Sequence, residues 1–404
     1  MSENGRPPVD DWSGDYDIFH ADYITDPAPI WDDLRQSCPI AHTERWGGSW
    51  LPTRYEDVRA LARLVPELSS TEPLVVNPPP LPDGAYGGVV APPISIDPPA
   101  HGPARRLILP AFSPQAVERH EPFTRELAHR LIDAFAGRGR ADAATDFAQQ
   151  IPPRVIAHLL GVDEEQADTF VVWVRGLLEQ GLTAPEIRFE ARTNIIEFFT
   201  EQVAQRRDEP GDDFISGLLA GELDGEPVPD VHVVGTCLLL LVAGIDTTWS
   251  SIGSALWHLA STPSDRKRLV SEPELIPTAV EELLRAYSPV TMGRVVTEEV
   301  VFGGVKLQPG DRVLMNFPGA NRDPEAFAHA DQVIIDRQHN RHIAFGVGIH
   351  RCAGSNLARM EMNVALSVFL DRIPEFSLED PAAVTWAGGQ VRGPRRLPIV
   401  FPVS

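Results

Sequence analysis

Cys352 has the clearest chemical setting in this chain. It lies in Phe345-Gly346-Val347-Gly348-Ile349-His350-Arg351-Cys352-Ala353-Gly354, directly before Ser355-Asn356-Leu357-Ala358-Arg359-Met360-Glu361-Met362, which reads as the opening of a helix. A cysteine binds metal as thiolate, which nearby positive charge, backbone N–H donors and a helix N-terminus all favour. His350 and Arg351 supply charge. Gly346, Gly348 and Gly354 let backbone pass close to a flat macrocycle and aim N–H groups at sulfur. The segment therefore reads as a thiolate presented to the iron of a haem. An ordinary buried cysteine in a glycine-rich turn is the competing reading. A dinucleotide-binding loop is excluded, because Arg351 stands where the third glycine should be.

A second chemical motif, Ala243-Gly244-Ile245-Asp246-Thr247-Thr248, sits about 100 residues upstream in an apolar helical run. Glycine followed by an acid and two threonines is poor helix-interior sequence, costing roughly 1 kcal/mol at the glycine alone. A threonine hydroxyl can bond to a preceding carbonyl and disturb the backbone ladder. An acid and an alcohol together can hand protons to dioxygen, whereas a solvated acid with packing threonines is the plainer alternative. A third element, Glu282-Leu283-Leu284-Arg285, places opposite charges three residues apart on one helix face, which alone says little.

Phe345, Gly348, His350, Cys352 and Gly354 match at every fixed position the haem-binding signature of the cytochrome P-450 monooxygenases, and the chain resembles that family. The resemblance implies haem b with Cys352 as axial ligand to iron. It implies that Thr247 steadies oxygen bound at the iron while Asp246 gates protons from solvent. It also implies a buried structural cluster of Glu282, Arg285 and Arg337. Asn321-Arg322-Asp323-Pro324 follows the family pattern as well. Haem propionates require cationic or hydrogen-bonding partners. His101 and Arg105, four apart behind Asp97-Pro98-Pro99-Ala100, occupy matching positions with Arg294 and His350. The motifs run in the family's order from about Asp97 to Ala358.

The positioning elements are mainly helical with a minor β part, the fold implied being one haem domain over residues 1–404 with a long central helix over the haem. Asp230 is expected to cap a helix from Val231 to about Ala260, a span of about 45 Å. Further helices are expected near Pro27–Gln36, Tyr55–Leu64, Pro103–Leu109, Pro114–Ala136, Gln149–Leu160, Glu164–Leu178, Pro185–Arg207, Pro273–Ala286 and Asn356–Leu370. Short strands are expected at Ser49–Pro52, Val295–Val301 and Arg312–Asn316. At 404 residues and 43% hydrophobic the chain can bury a large core.

Three cysteines are too few and scattered for a disulfide framework or zinc site. Cys38 precedes a proline in an expected surface turn, and Cys237 reads as core. The net charge of −22 argues against nucleic acid or an anionic membrane as partner. The N-terminus lacks the apolar core of a signal peptide, and the longest apolar stretch falls short of the roughly 20 residues that span a bilayer. A cytoplasmic, bacterial member of the family is the expectation.

The expected activity is insertion of one oxygen atom of dioxygen into a small to medium hydrophobic substrate. A peroxide-driven peroxygenase and a non-catalytic haem-thiolate sensor are the alternatives. With no fused reductase, electrons are expected from a ferredoxin and its NAD(P)H-dependent reductase, received at a basic patch of Arg351, Arg341, Arg106 and Arg359. Val90, Ala243, Val290, Met292 and Val391 are candidate pocket residues, with Pro73–Pro93 and the two helices around Pro185 as an access lid.

Overall fold

A computed structural model describes residues 7–77 and 90–403. Most of the expected lid segment Pro73–Pro93 lies outside the described residues. The organising element is the 32-residue helix Asp230–Ser261, unbroken from end to end. It is apolar on nearly every side because most of its length is packed against other elements. Helices Ile151–Leu160, Ala167–Leu178, Pro185–Asp208 and Ser355–Arg372 lie against it, as does the strand Gly393–Arg396. By length and composition this helix could cross a membrane, but its most apolar window is 61% buried inside the protein, which marks a core helix.

Its start differs from expectation. Pro229 occupies the N-cap, and Asp230 is the first helical residue with no capping bond. The Asp230 carboxylate is instead taken by Arg207, at 3.0 and 2.7 Å. Elsewhere prolines cut expected helices into shorter pieces, since a proline fits the first turn but not the interior. The region expected as one helix from Pro114 becomes Pro114–Glu118 and Glu121–Asp133, with proline in the first turn of each. Tyr55–Leu61 stops a turn early.

The β part is larger than expected. A five-stranded sheet runs in the order Ile40–Thr43, Ser49–Pro52, Arg312–Met315, Met292–Val296, Leu68–Ser69. All its pairs are antiparallel except Ser49–Pro52 against Arg312–Met315. The expected strand Val295–Val301 is two strands, Met292–Val296 and Val300–Phe302. The run breaks between them because Thr297 turns aside, its N–H and hydroxyl both bonded to the Pro66–Glu67 backbone. A hairpin of Thr385–Ala387 and Gly393–Arg396 carries the C-terminal segment back onto the long helix.

Candidate functional site

The cysteine loop is shaped by two left-handed glycines, Gly346 (φ 68°) and Gly348 (φ 75°), a conformation that side-chain-bearing residues resist. Cys352 N–H donates to Phe345 O at 2.8 Å, closing the loop. Gly354 has ordinary φ (−82°) and is the N-cap of Ser355–Arg372. It contributes its N–H, which bonds the Cys352 sulfur. Cys352 has open surface around it. Burial nevertheless raises its thiol pKa, opposed by the Gly354 N–H and by Arg105, Arg351 and Arg359. Open surface combined with desolvation describes a side chain facing a concave interior.

The expected propionate set is brought together. The His101 and His350 rings lie 4.4 Å apart, edge to face. Each has a buried Nε2 with no hydrogen-bond partner among the described residues. Arg294 is 4% exposed and donates to the carbonyl of its neighbour Gly293. Arg105 reaches the Arg351 carbonyl at 2.5 Å. Burial and mutual repulsion weaken these cations: desolvation, Arg294 and His101 push His350 down to about 3, and burial lowers Arg294 to about 10. Asp97 is the acid that offsets both, and it already accepts from Ser69 Oγ and the Ser70 N–H. Buried donors lacking an anion fit the carboxylates of a haem b.

On the long helix, Asp246 is wholly buried. Its Oδ1 accepts from Arg395 at 2.8 Å and Ser250 at 3.2 Å, while Oδ2 has no partner among the described residues. Burial raises its pKa against the opposing charge of Arg395, with Glu179 adding to the rise. Thr247 Oγ1 donates to Ala243 O at 2.7 Å, the back-bond expected of it, although the helix is not broken there. Gly244 has a packing reason besides: a Cβ would lie 2.6 Å from Ile156 Cδ1.

Glu282, Arg285 and Arg337 form the expected cluster. Glu282 and Arg285 are fully buried. Two bonds of 2.8 Å join them, and Arg337 Nε adds a third at 2.9 Å. Phe345 is covered by the Arg359 guanidinium, 4.4 Å from the ring centroid. Arg359 is thereby withdrawn from the expected surface patch, being paired with Glu281 at 2.6 and 2.8 Å. Arg106, Arg341 and Arg351 are exposed.

The pocket candidates divide. Ala243 is exposed although Leu241, Ile245 and Asp246 around it are buried. Val90 is 47% exposed. Its carbonyl presses on the long helix at Gly235, where a Cβ would come within 2.0 Å. Val290 and Val391 form a β-bridge. Val391, only 2% exposed, is a core residue and not a free pocket face. Met292 has a polar partner, its sulfur accepting from Gln390 Nε2 at 3.2 Å.

Gln390, Arg395 and Glu179 were not picked out by sequence. Gln390 also accepts from Val75 N–H at 3.0 Å and donates to Pro73 O at 3.1 Å, stitching three pocket segments together. The only hint of Arg395 is an arginine pair before the apolar run Leu397–Val400.

Comparison with known proteins identifies the family. The cytochrome P-450 family model matches residues 167–383. The chain is 36% identical over 383 residues to the mycinamicin IV hydroxylase/epoxidase of Micromonospora griseorubida, covering 91% of this chain and 94% of that protein. It is 33% identical to the vitamin D(3) 25-hydroxylase of Pseudonocardia autotrophica, over 96% of each. A myxobacterial cytochrome P-450 solved with myristic acid superposes with a TM-score of 0.87 at 32% identity, over 95% of this chain and 98% of that one. The chain belongs to the cytochrome P-450 family and is a bacterial-type monooxygenase using haem b.

Proposed function

We propose that the Cys352 thiolate would hold the haem iron, that His101, Arg105, Arg294 and His350 would hold its propionates, and that Asp246 and Thr247 would manage protons and oxygen. The single observation that carries this reading is the pair of buried ring nitrogens, Nε2 of His101 and of His350, that have no hydrogen-bond partner among the described residues beside the cysteine loop. Phe345, Gly348 and Gly354 shape that loop. When bound, the haem supplies dioxygen activation and the oxidant. The chain's own residues do the rest. The Gly354 N–H and Arg105 stabilise charge on sulfur. Thr247 Oγ1, now donating to Ala243 O, can turn its hydrogen toward a ligand. The free Oδ2 of Asp246 takes up and releases a proton. Glu282, Arg285 and Arg337 brace the backbone before the cysteine loop.

The substrate is a hydrophobic organic molecule bound against Ala243, Val290 and Met292. Relatives are named for mycinamicin IV and vitamin D(3), and a neighbour was solved with myristic acid, which supports an apolar substrate without choosing one. Electrons come from a ferredoxin served by an NAD(P)H-dependent reductase, docking over Arg106, Arg341 and Arg351, with the chain working as a single haem domain in the cytoplasm.

The test is the carbon monoxide difference spectrum of reduced, haem-loaded protein. A red-shifted Soret band that is lost in Cys352→His is expected. A histidine-like band in the unaltered, folded protein would sink the ligand assignment. NADH consumption coupled to substrate loss with a surrogate ferredoxin supports the monooxygenase cycle, and turnover with peroxide alone opposes it. Charge reversal at Arg351 should slow reduction and flatten its salt dependence.

A further inference from the structure

Arg395 stands where two carboxylates meet. It enters from the strand Gly393–Arg396, with its side chain only 11% exposed. Nη2 donates to Asp246 Oδ1 at 2.8 Å, and Nε donates to Glu179 Oε2 at 2.8 Å. Nη1 donates to Ser250 Oγ at 3.0 Å, and Ser250 passes its own hydrogen to Asp246 Oδ1 at 3.2 Å. The guanidinium lies 5.0 Å from the Trp249 ring centroid. Glu179 closes the helix Ala167–Leu178 as its C-cap and accepts in turn from Arg175 at 2.9 Å. Acid and base thus alternate through Asp246, Arg395, Glu179 and Arg175.

The backbone is arranged to allow this. At Gly393 a Cβ would fall 2.3 Å from the Ser250 Cβ, so the strand presses on the long helix one turn beyond Asp246. All five polar hydrogens of a guanidinium point along fixed directions in one plane, so a single arginine can serve two acids on different elements. Both bonds to Asp246 fall on Oδ1. Oδ2 is left buried, with no partner among the described residues. One oxygen fixed and the other unclaimed is a geometry in which a proton can come and go without the side chain moving.

We propose that Arg395 is the positioning residue for Asp246, favouring its ionised form with Oδ2 free, and that by sharing its guanidinium with Glu179 it ties this acid to the end of the helix Ala167–Leu178. The catalytic consequence rests on Asp246 being the proton-handling acid; the ion-pair chain does not. The groups acting on Asp246 are Arg395 from the strand, Glu179 from the helix end, and Ser250 on its own helix. Arg175 stands behind Glu179 and, with Arg395, keeps that carboxyl low against the opposing effect of burial. Arg395 is the cation that counters burial at Asp246. Without it the acid is held protonated further up the pH scale. A buried acid with a raised pKa costs stability increasingly as pH climbs above its unfolded value, until the folded acid itself ionises.

The experiment compares haem-loaded wild type with Arg395→Gln, Arg395→Lys, Asp246→Asn and the Asp246→Asn/Arg395→Gln double variant. Thermal unfolding is followed from pH 5 to 9, and hydrogen exchange over residues 175–184. Expected are a loss of stability in Arg395→Gln that grows with pH, a shallower slope in the double variant, where Glu179 alone still answers the lost cation, partial rescue by lysine, and faster exchange at 175–184. A slope as steep in the double variant as in Arg395→Gln, or exchange that does not change, overturns the proposal. Should Arg395→Gln fail to fold, the lysine variant carries the same comparison. The rate of product formation separates the two readings. If Asp246→Asn leaves that rate intact, the proton-handling role falls; if it lowers the rate while Arg395→Gln shows no pH slope, the positioning role falls.

Discussion

Two buried carboxylates in this protein, each held by arginine, are finished in opposite ways. Glu282 accepts from five donors, Arg285 Nε and Nη2, Arg337 Nε, Asn340 Nδ2 and the Ile334 N–H, spread over both oxygens. Among the described residues Asp246 accepts from two, both on the same oxygen. Both residues are 0% exposed. Burial pushes each toward the neutral form, yet at Glu282 the bonds from Arg285 and its other donors prevail and its pKa is lowered, whereas at Asp246 burial prevails and it is raised. A saturated buried acid is a fixture. An unsaturated one retains a free oxygen, and the energetic cost of leaving it so points to chemistry rather than to stability.

Breaking the saturated cluster should have the largest effect. Glu282→Ala strands Arg285 as an unpaired buried cation, so a loss of about 3–5 kcal/mol is expected in chemical denaturation. The same contribution should fade with acid in the unaltered protein. A depressed folded pKa gives stability that is full above the ordinary glutamate value and disappears as pH falls through the folded one, which unfolding curves from pH 6 downward would display.

Next comes Gly393→Ala, which forces the strand off Ser250 and should cost about 1–3 kcal/mol. It touches no charge. Its stability loss should nevertheless acquire the pH slope of an arginine variant, because moving the strand moves Arg395; a pH-independent loss would detach the strand's seating from the ion pair.

Asp246→Asn should change stability least, within about 1 kcal/mol, since Arg395 retains Glu179 as partner. Product formation should instead fall about 100-fold or more, measured as coupled turnover. Equal stability losses at Asp246 and Glu282 would erase the distinction between them.

What sequence made legible follows from the range of each interaction. The Cys352 loop and the Asp246–Thr247 pair are contiguous segments whose residue types carry their own geometry, and both stand where their patterns place them. Glu282 and Arg285 are one helical turn apart, so only Arg337 had to arrive from elsewhere. Arg395 meets Asp246 across 149 positions and Glu179 across 216, separations bridged by tertiary packing alone, through links that leave no local trace. Asp230 shows the converse: a good capping residue was taken by Arg207 from another helix, 23 positions away. Arg359, similarly, reads as a surface charge until Glu281 is seen 78 positions upstream.

The stitch made by Gln390 bears on how such a protein can be diversified. Its amide joins partners 315, 317 and 98 positions away in the chain, at Val75, Pro73 and Met292. Two of these partners are backbone groups, the Val75 N–H and the Pro73 carbonyl, which any parental sequence supplies. The stitch therefore travels with Gln390 itself, and a chimera keeps it wherever that one residue is inherited. Only the contact with Met292 requires two side chains to come from the same parent.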